Sequence, residues 1–192
     1  PNGIDLSNFK AAKNPGKLRS KLGIKPDAPI LLSVGRTDPE KRLDFLIDVF
    51  ERIADRFPDA RLVFAGDGSA RKQLEERAAA TKVNDRIHFL GMVDRVDLPD
   101  ILHDATVFLS ASTTETQGIA LLEATAAGLP VVAVKDDAFE GMFENGENGF
   151  QAPLDVDAFA NILADLLMDA GKLEAFGRKS MELSQKFSIE GQ

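Results

Sequence analysis

Two cations and two carboxylates stand out in this sequence by their type and spacing. Arg36 and Lys41, with Arg42 beside them, follow the apolar run 30–34 and precede a segment of helical periodicity. Cations near the start of a helix oppose the helix dipole, which favours negative charge there. Arg42 is expected to extend into water. For Arg36 and Lys41 two arrangements are open: extending into water or pairing with Asp38 and Glu40, or holding an anion between themselves and the helix end, and the second is preferred. Thr37, Asp38 and Pro39 should open this helix, with Glu40 completing a capping box.

Glu123 is the only charge in segment 118–127. Its neighbours three and four positions away are Ile119, Ala120, Ala126 and Ala127, so the carboxylate falls on an apolar face and should be largely buried. A buried carboxylate needs donors, either a structural hydroxyl or amide, or the hydroxyls of a ligand. Glu115 lies eight positions earlier, in the loop 112–118 at the mouth of the same helix. The amino end of that helix offers N–H groups on which a phosphate could sit. The plainer reading of Glu115 is an anion that merely favours the helix dipole.

Glycines collect near these residues. Gly35 follows the apolar run 30–34, Gly66 and Gly68 follow 61–65, Gly91 follows 87–90, and Gly118 ends the loop after 106–109. Each could be ordinary turn chemistry, and for Gly66 and Gly68 a tight turn and close approach of a ligand are equally open. Four sites on one edge favour a ligand. The spacing is not a dinucleotide fingerprint, because Arg71 stands where a third small residue is needed, and no Walker A sequence is present.

The elements that must position these groups alternate. Apolar runs at 30–34, 61–65, 87–90, 106–109 and 131–134 read as buried parallel strands. Helices are expected from Leu43 to Phe57, over 71–81, shortly after Asp97, over 118–127, and from Asp155 to about Phe187 with a break near Gly171. This order predicts an α/β fold with a doubly wound, open parallel sheet, in which ligands bind beyond the carboxyl ends of the strands. Only 1–28 and the glycine-rich 144–149 read as linker-like, and no repeat or second-domain boundary is visible.

Composition narrows the function. The 192 residues, 44% hydrophobic and 28% charged, fit one globular domain. With no cysteine, disulfides and thiolate metal sites are excluded, and with only His88 and His103 no histidine-rich metal site is expected. A net charge of −8 argues against nonspecific binding to nucleic acid or anionic lipid. No apolar run approaches membrane-spanning length and no signal-peptide core opens the chain, so a soluble chain is expected, with cytoplasm the default. The opening residue is not Met, which reads as a chain excised from a longer one.

Taken in order, these residues resemble the carboxyl-terminal domain of retaining glycosyltransferases of the two-domain GT-B fold, family GT4 (glycosyl transferases group 1). The resemblance covers nearly the whole chain. It is carried by Pro1–Asp5 and Phe9, by Val34, Gly35 and Arg36 with Glu40 and Lys41, and by Ala65 to Gly68. Further on come Phe89, Leu90 and Gly91, then Glu115 with seven intervening residues to Glu123, then Ala127 to Val132. Singly each mark is weak; in this order they are specific.

The resemblance implies that Arg36 and Lys41, beside Gly35, grip the donor diphosphate, that Glu115 contacts the sugar and that Glu123 binds the ribose hydroxyls. The amides of Gln117, Gly118 and Ile119 would complete the phosphate site, Met92 and Val93 would border the base, and Asp67 and Gly68 would shape the rim. It implies a nucleotide-sugar donor, no metal or other cofactor, and retention at the anomeric carbon. The acceptor site would belong to an absent amino-terminal domain, which would also account for any membrane association, so the chain alone would bind donor weakly and transfer nothing. One departure is Glu115 Thr116 Gln117 Gly118, where the commoner family form reads Glu Gly Phe Gly. The variant looks like the branch containing diacylglycerol glucosyltransferases, which points to UDP-glucose and a lipid acceptor. A non-catalytic nucleotide-sugar-binding module, or another GT-B enzyme such as a nucleotide-sugar epimerase, an α-glucan synthase or a phosphorylase, would share much of this pattern.

Overall fold

Side chains alternate across a strand, so an apolar run buried on both faces feeds two cores. The strands are used this way in the computed structural model, which describes residues 5–114 and 118–188. β1 (Ile30–Val34) sends Leu31 into one core and Ile30 and Leu32 into the other. β2 (Arg61–Ala65) divides likewise, with Leu62 and Phe64 set against Val63 and Ala65. β3 (Ile87–Gly91), β4 (Val107–Ser110) and β5 (Val131–Val134) fall within one residue of their expected bounds. β3 is an edge strand, and His88, Phe89 and Leu90 are only half-buried rather than fully covered.

Helices sheathe both faces. α1 (Lys17–Leu22), α4 (Leu98–Asp104) and α5 (Ile119–Ala126) contribute to one core, and α2 (Leu43–Ile53), α3 (Arg71–Ala79) and α6 (Val156–Leu167) to the other. α2 is amphipathic at helical spacing, burying Leu43, Leu46, Ile47, Val49, Phe50 and Ile53. α7 (Ala170–Ser184) packs against α5 and α6.

With β6 (Gly149–Ala152), six parallel strands form one sheet in the order β3-β2-β1-β4-β5-β6. From β1 the chain steps outward to β2 and β3. It then returns through α4 to β4, on the other side of β1, and steps outward again. The winding therefore reverses between β1 and β4, and such a reversal opens a crevice beyond the carboxyl ends of those strands.

Six expectations are corrected. The glycine-rich 144–149 is not a plain linker but leads into β6, which pairs with β5 in register Val131–Gly149 through Val134–Ala152. Residues 1–28 are not linker-like throughout, since Leu6, Phe9 and Leu18 are buried and α1 lies against α4. The helix after β1 does not open at Thr37. Pro39–Lys41 make a 3-10 turn, Arg42 takes a left-handed conformation (φ 50°), and α2 begins only at Leu43. Asp38 is unavailable as a cap because its Oδ1 already accepts from the backbone N–H and the hydroxyl of Ser69. The last helix breaks at Met168 and Asp169 rather than at Gly171, because the Asp169 carboxylate accepts from the N–H of Lys172 and starts α7 there. α2 likewise ends at Ile53, short of Phe57, and α3 at Ala79, short of Thr81.

Candidate functional site

The crevice between β1 and β4 is lined by the ends of those strands, by the loops that leave them and by the start of α5. Ser33, Val34, Gly35, Arg36 and Lys41 come from the β1 side, Ser110, Ala111 and Ser112 from the β4 side, and Gly118, Ala120 and Leu121 from the helix. Phe64, Phe108 and Phe139 supply apolar wall. Arg36, Lys41, Gly35 and Gly118, singled out from sequence far apart, thus share one cleft. Glu115 and Gln117 lie outside the described residues.

α5 is short and presents its amino end to this cleft. Gly118, in a left-handed conformation (φ 59°), turns the chain into the helix, and neither a side-chain cap nor an acidic residue occupies its first turn. The partial positive charge of that helix end is therefore not offset by a side chain of the first turn.

Arg36 is largely exposed, and its guanidinium lies 3.1 Å from Asp38 Oδ2 and 3.5 Å from Glu40 Oε1. Both arrangements considered for it bear on the structure, since it lines the cleft while paired with these two acids. The Asp38 carboxyl is held below the usual aspartate range, first by the Ser69 backbone N–H, then by the Ser69 hydroxyl, with Arg36 a smaller cause. With the guanidinium exposed, such pairs contribute little stability. Arg42 is exposed, as expected.

The glycines of the β2 loop have a packing role. The N–H of Gly35 donates to Ala65 O (3.0 Å), that of Thr37 to Asp67 O (3.1 Å), and that of Ala70 to Thr37 O (2.9 Å). The loops after β1 and β2 are thereby stitched together with no room between them. A Cβ at Gly66 would overlap the Gly35 carbonyl, and one at Gly68 would meet the Thr37 backbone. Neither glycine lines the cleft, and close backbone contact between the loops accounts for glycine at both positions. Met92 and Val93 border a separate hollow with Leu18, Lys21, Leu90 and Ile101.

Glu123 sits in the second turn of α5 and is only 3% exposed, as its apolar neighbours predict. Burial pushes its pKa upward, and the Arg95 guanidinium works against that shift. Arg95 Nη2 lies 2.6 Å from Glu123 Oε1, an ion-pair distance. Oε1 is buried and has no hydrogen bond of good geometry. Glu123 is not part of the cleft wall itself, but its helix begins there.

Sequence reasoning missed three acid-base features. Arg95 was one, passed over because nothing in the order of residues places the β3 loop across α5. Asp100 and Asp104 of α4 were the others, and they hold residues 13–19. Asp100 accepts from the N–H groups of Lys13 (2.7 Å) and Asn14 (2.9 Å), and Asp104 from those of Gly16 (2.7 Å) and Leu18 (2.8 Å). Their signal was two acids four apart, one turn of a short helix whose other residues are apolar save His103.

Fold and cleft together define a class: a doubly wound α/β domain opening a basic crevice, backed by a helix amino terminus, at the reversal of its sheet. The chain belongs to the glycosyl transferases group 1 family, whose model matches residues 16–182. It is 35% identical over 153 residues to the alpha-monoglucosyldiacylglycerol synthase of Acholeplasma laidlawii, spanning 78% of this chain and 38% of that protein. It is 36% identical over 171 residues to the phosphatidyl-myo-inositol mannosyltransferase of Mycobacterium tuberculosis, spanning 88% of this chain and 43% of that protein. The chain thus spans less than half the length of these curated relatives.

Solved structures give the same fold. Anabaena Alr3699/HepE in complex with UDP-glucose superposes with a TM-score of 0.86 at 27% identity, over 98% of this chain and 53% of that one. The carboxyl-terminal domain of the group 1 family protein LpcC of Francisella tularensis superposes at 0.84 with 24% identity, over 97% of this chain and the whole of that one. The doubly wound sheet is accordingly that of the carboxyl-terminal half of a GT-B fold. No described helix is long and apolar enough to cross a membrane.

Proposed function

We propose that this chain is the donor-binding part of a retaining glycosyltransferase that moves glucose from UDP-glucose to a lipid acceptor. The observation that carries the reading is the convergence of Arg36, Lys41 and the amino end of α5 on one cleft at the reversal of the sheet. Breaking the bond between a sugar and a nucleoside diphosphate builds negative charge on the departing diphosphate. Fixed cations and a helix end aimed at that charge lower the barrier because they need no reorganisation as it develops. Arg36 leaves Asp38 and Glu40 to take up the diphosphate, and with Lys41 it supplies the charge that a divalent metal provides elsewhere.

Glu123 accepts the ribose hydroxyls and Glu115 contacts the sugar. UDP-glucose as donor is supported by the UDP-glucose complex of the Anabaena relative, and a glycolipid product by the name of the Acholeplasma one. Retention at the anomeric carbon and independence of metal follow from the family resemblance. The groups that bind the acceptor lie outside this chain, which on its own binds donor and transfers nothing.

Calorimetric titration with UDP-glucose, GDP-mannose and ADP-glucose tests the reading. UDP-glucose should bind tightest, and Arg36→Ala and Glu123→Ala should each weaken it by about tenfold, the scale of one charge-assisted hydrogen bond. Equal responses from the wild type and both variants would place the site elsewhere.

A further inference from the structure

The loop after β3 brings one further charged group to α5, and its neighbours hold it there. The Arg95 guanidinium lies 2.6 Å from Glu123 and 5.6 Å above the centre of the Phe9 ring. Phe9 is buried and fixed in turn, because its carbonyl meets His103 Nε2 of α4 at 2.8 Å. A line of contacts therefore runs from α4 through Phe9 and Arg95 to the carboxylate.

We propose that Arg95 is a positioning residue that holds the buried Glu123 carboxylate ready to accept the ribose hydroxyls of a nucleoside diphosphate. The inference rests on the donor-binding reading above.

The balance of charge is the first of three points in support. The Glu123 carboxylate is surrounded by the apolar face of α5, where a charge without a partner is strongly disfavoured. Among the described residues Arg95 is the cation within ion-pair distance of it. Arg95 itself is 65% exposed, so it contributes little to the core, and a purely structural role would have little to act on.

The geometry of the contact is the second point. The guanidinium stands close enough to balance the charge, and the buried Oε1 has no hydrogen bond of good geometry. A carboxylate that reads hydroxyls needs this combination: charge neutralised, and hydrogen-bonding capacity left open. The third point is the seat of Arg95. Stacking on an aromatic ring orients a guanidinium while leaving its donors available.

Two nucleotides that differ only at the ribose supply the test: UDP and 2′,3′-dideoxy-UDP, titrated calorimetrically into the whole chain. The wild type should prefer UDP by about tenfold or more, because a site built for a hydroxyl penalises its absence. Arg95→Ala should erase most of that preference by weakening UDP alone, and Arg95→Lys should restore part of it. Cooperative thermal melts would show the variants folded, with Arg95→Ala melting somewhat below the wild type at pH 7 because it leaves the buried Glu123 charge without its partner.

Equal loss of affinity for both nucleotides in Arg95→Ala, or a preference left intact, would overturn the proposal while leaving the donor site standing. Failure of the donor reading looks different. In that case the wild type binds neither nucleotide, or Glu123→Ala keeps the full preference for UDP, and the role assigned to Arg95 falls with it.

Discussion

Gly66 lies so close to the carbonyl of Gly35 that any Cβ on Gly66 would overlap that oxygen, and its φ of 144° is one that side-chain-bearing residues rarely adopt. The two glycines join the ends of β2 and β1 at the floor of the rim that carries Arg36. Gly66→Ala must therefore both strain its own backbone and displace that of Gly35. It should lose about 2 kcal/mol or more of stability, lowering the melting temperature by about 4–8 °C in a chain of this size. Differential scanning calorimetry measures it, and an unchanged melting temperature would show that the loops can part freely.

Binding of UDP-glucose should depend on salt through Arg36 and Lys41. Screening weakens exposed charge pairs once the Debye length falls below their separation, at about 3 Å in 1 M salt. Titrations at rising ionic strength should show affinity falling in the wild type, and falling less steeply in Arg36→Ala and Lys41→Ala. Parallel slopes in all three proteins would remove these side chains from the anion site.

Glu123 should oppose stability in the absence of donor. Burial raises its pKa above that of the unfolded chain, so the folded state favours the protonated form. This group therefore penalises folding least below the unfolded pKa, and the penalty grows as pH rises through the folded pKa. Glu123→Gln should melt higher than the wild type at pH 7, with the gap closing toward acid pH, while binding UDP more weakly. A variant that melts lower at pH 7 would mean that the Arg95 pair more than compensates for burial.

Asp100 and Asp104 should latch residues 13–19 onto α4. Truncating Asp104, a buried carboxylate bonded to the N–H groups of Gly16 and Leu18, leaves those donors without a partner. Asp104→Ala should cost about 3 kcal/mol in urea denaturation. The Asp100 carboxyl is held below the usual aspartate range, chiefly by the Asn14 backbone N–H. Its contribution is thus present above the unfolded pKa and lost as pH falls through the folded one. Asp100→Asn should flatten the acid limb of the stability curve, and protease sensitivity within 10–20 should rise in both variants.

Asn148 should govern the connection before β6. Fully buried, it accepts from the Glu144 N–H and donates to Met142 O and to the Ser180 hydroxyl, which itself donates to Leu129 O. Asn148→Ala breaks this set and opens a small cavity, at a cost of about 2–4 kcal/mol by thermal or urea melts. Hydrogen exchange of the β6 amides should accelerate in the same variant.

What could be read from residue order was whatever depends on near neighbours. The run Ile30–Val34 is apolar on both faces, so it had to be a covered strand. The spacing around Glu123 put a carboxylate on an apolar helical face, and the alternation of runs and periodic segments required a doubly wound sheet. β6 escaped because Gly149 to Ala152 has neither length nor an apolar run; it becomes a strand by pairing with β5. The start of α2 was misplaced for the same kind of reason, since Asp38 engages its carboxylate with Ser69, 31 residues away.

The sequence by itself therefore determined most of the elements, their order and the burial of Glu123, because periodicity and desolvation act on each segment alone. Only the tertiary structure decided which of those groups meet. It brought Arg36, Lys41 and Gly118 to one cleft, set Arg95 across Glu123, and bound Asn14 to Asp100, 86 residues along the chain. Such pairings depend on how packed layers bring distant loops together, and no local pattern carries that information.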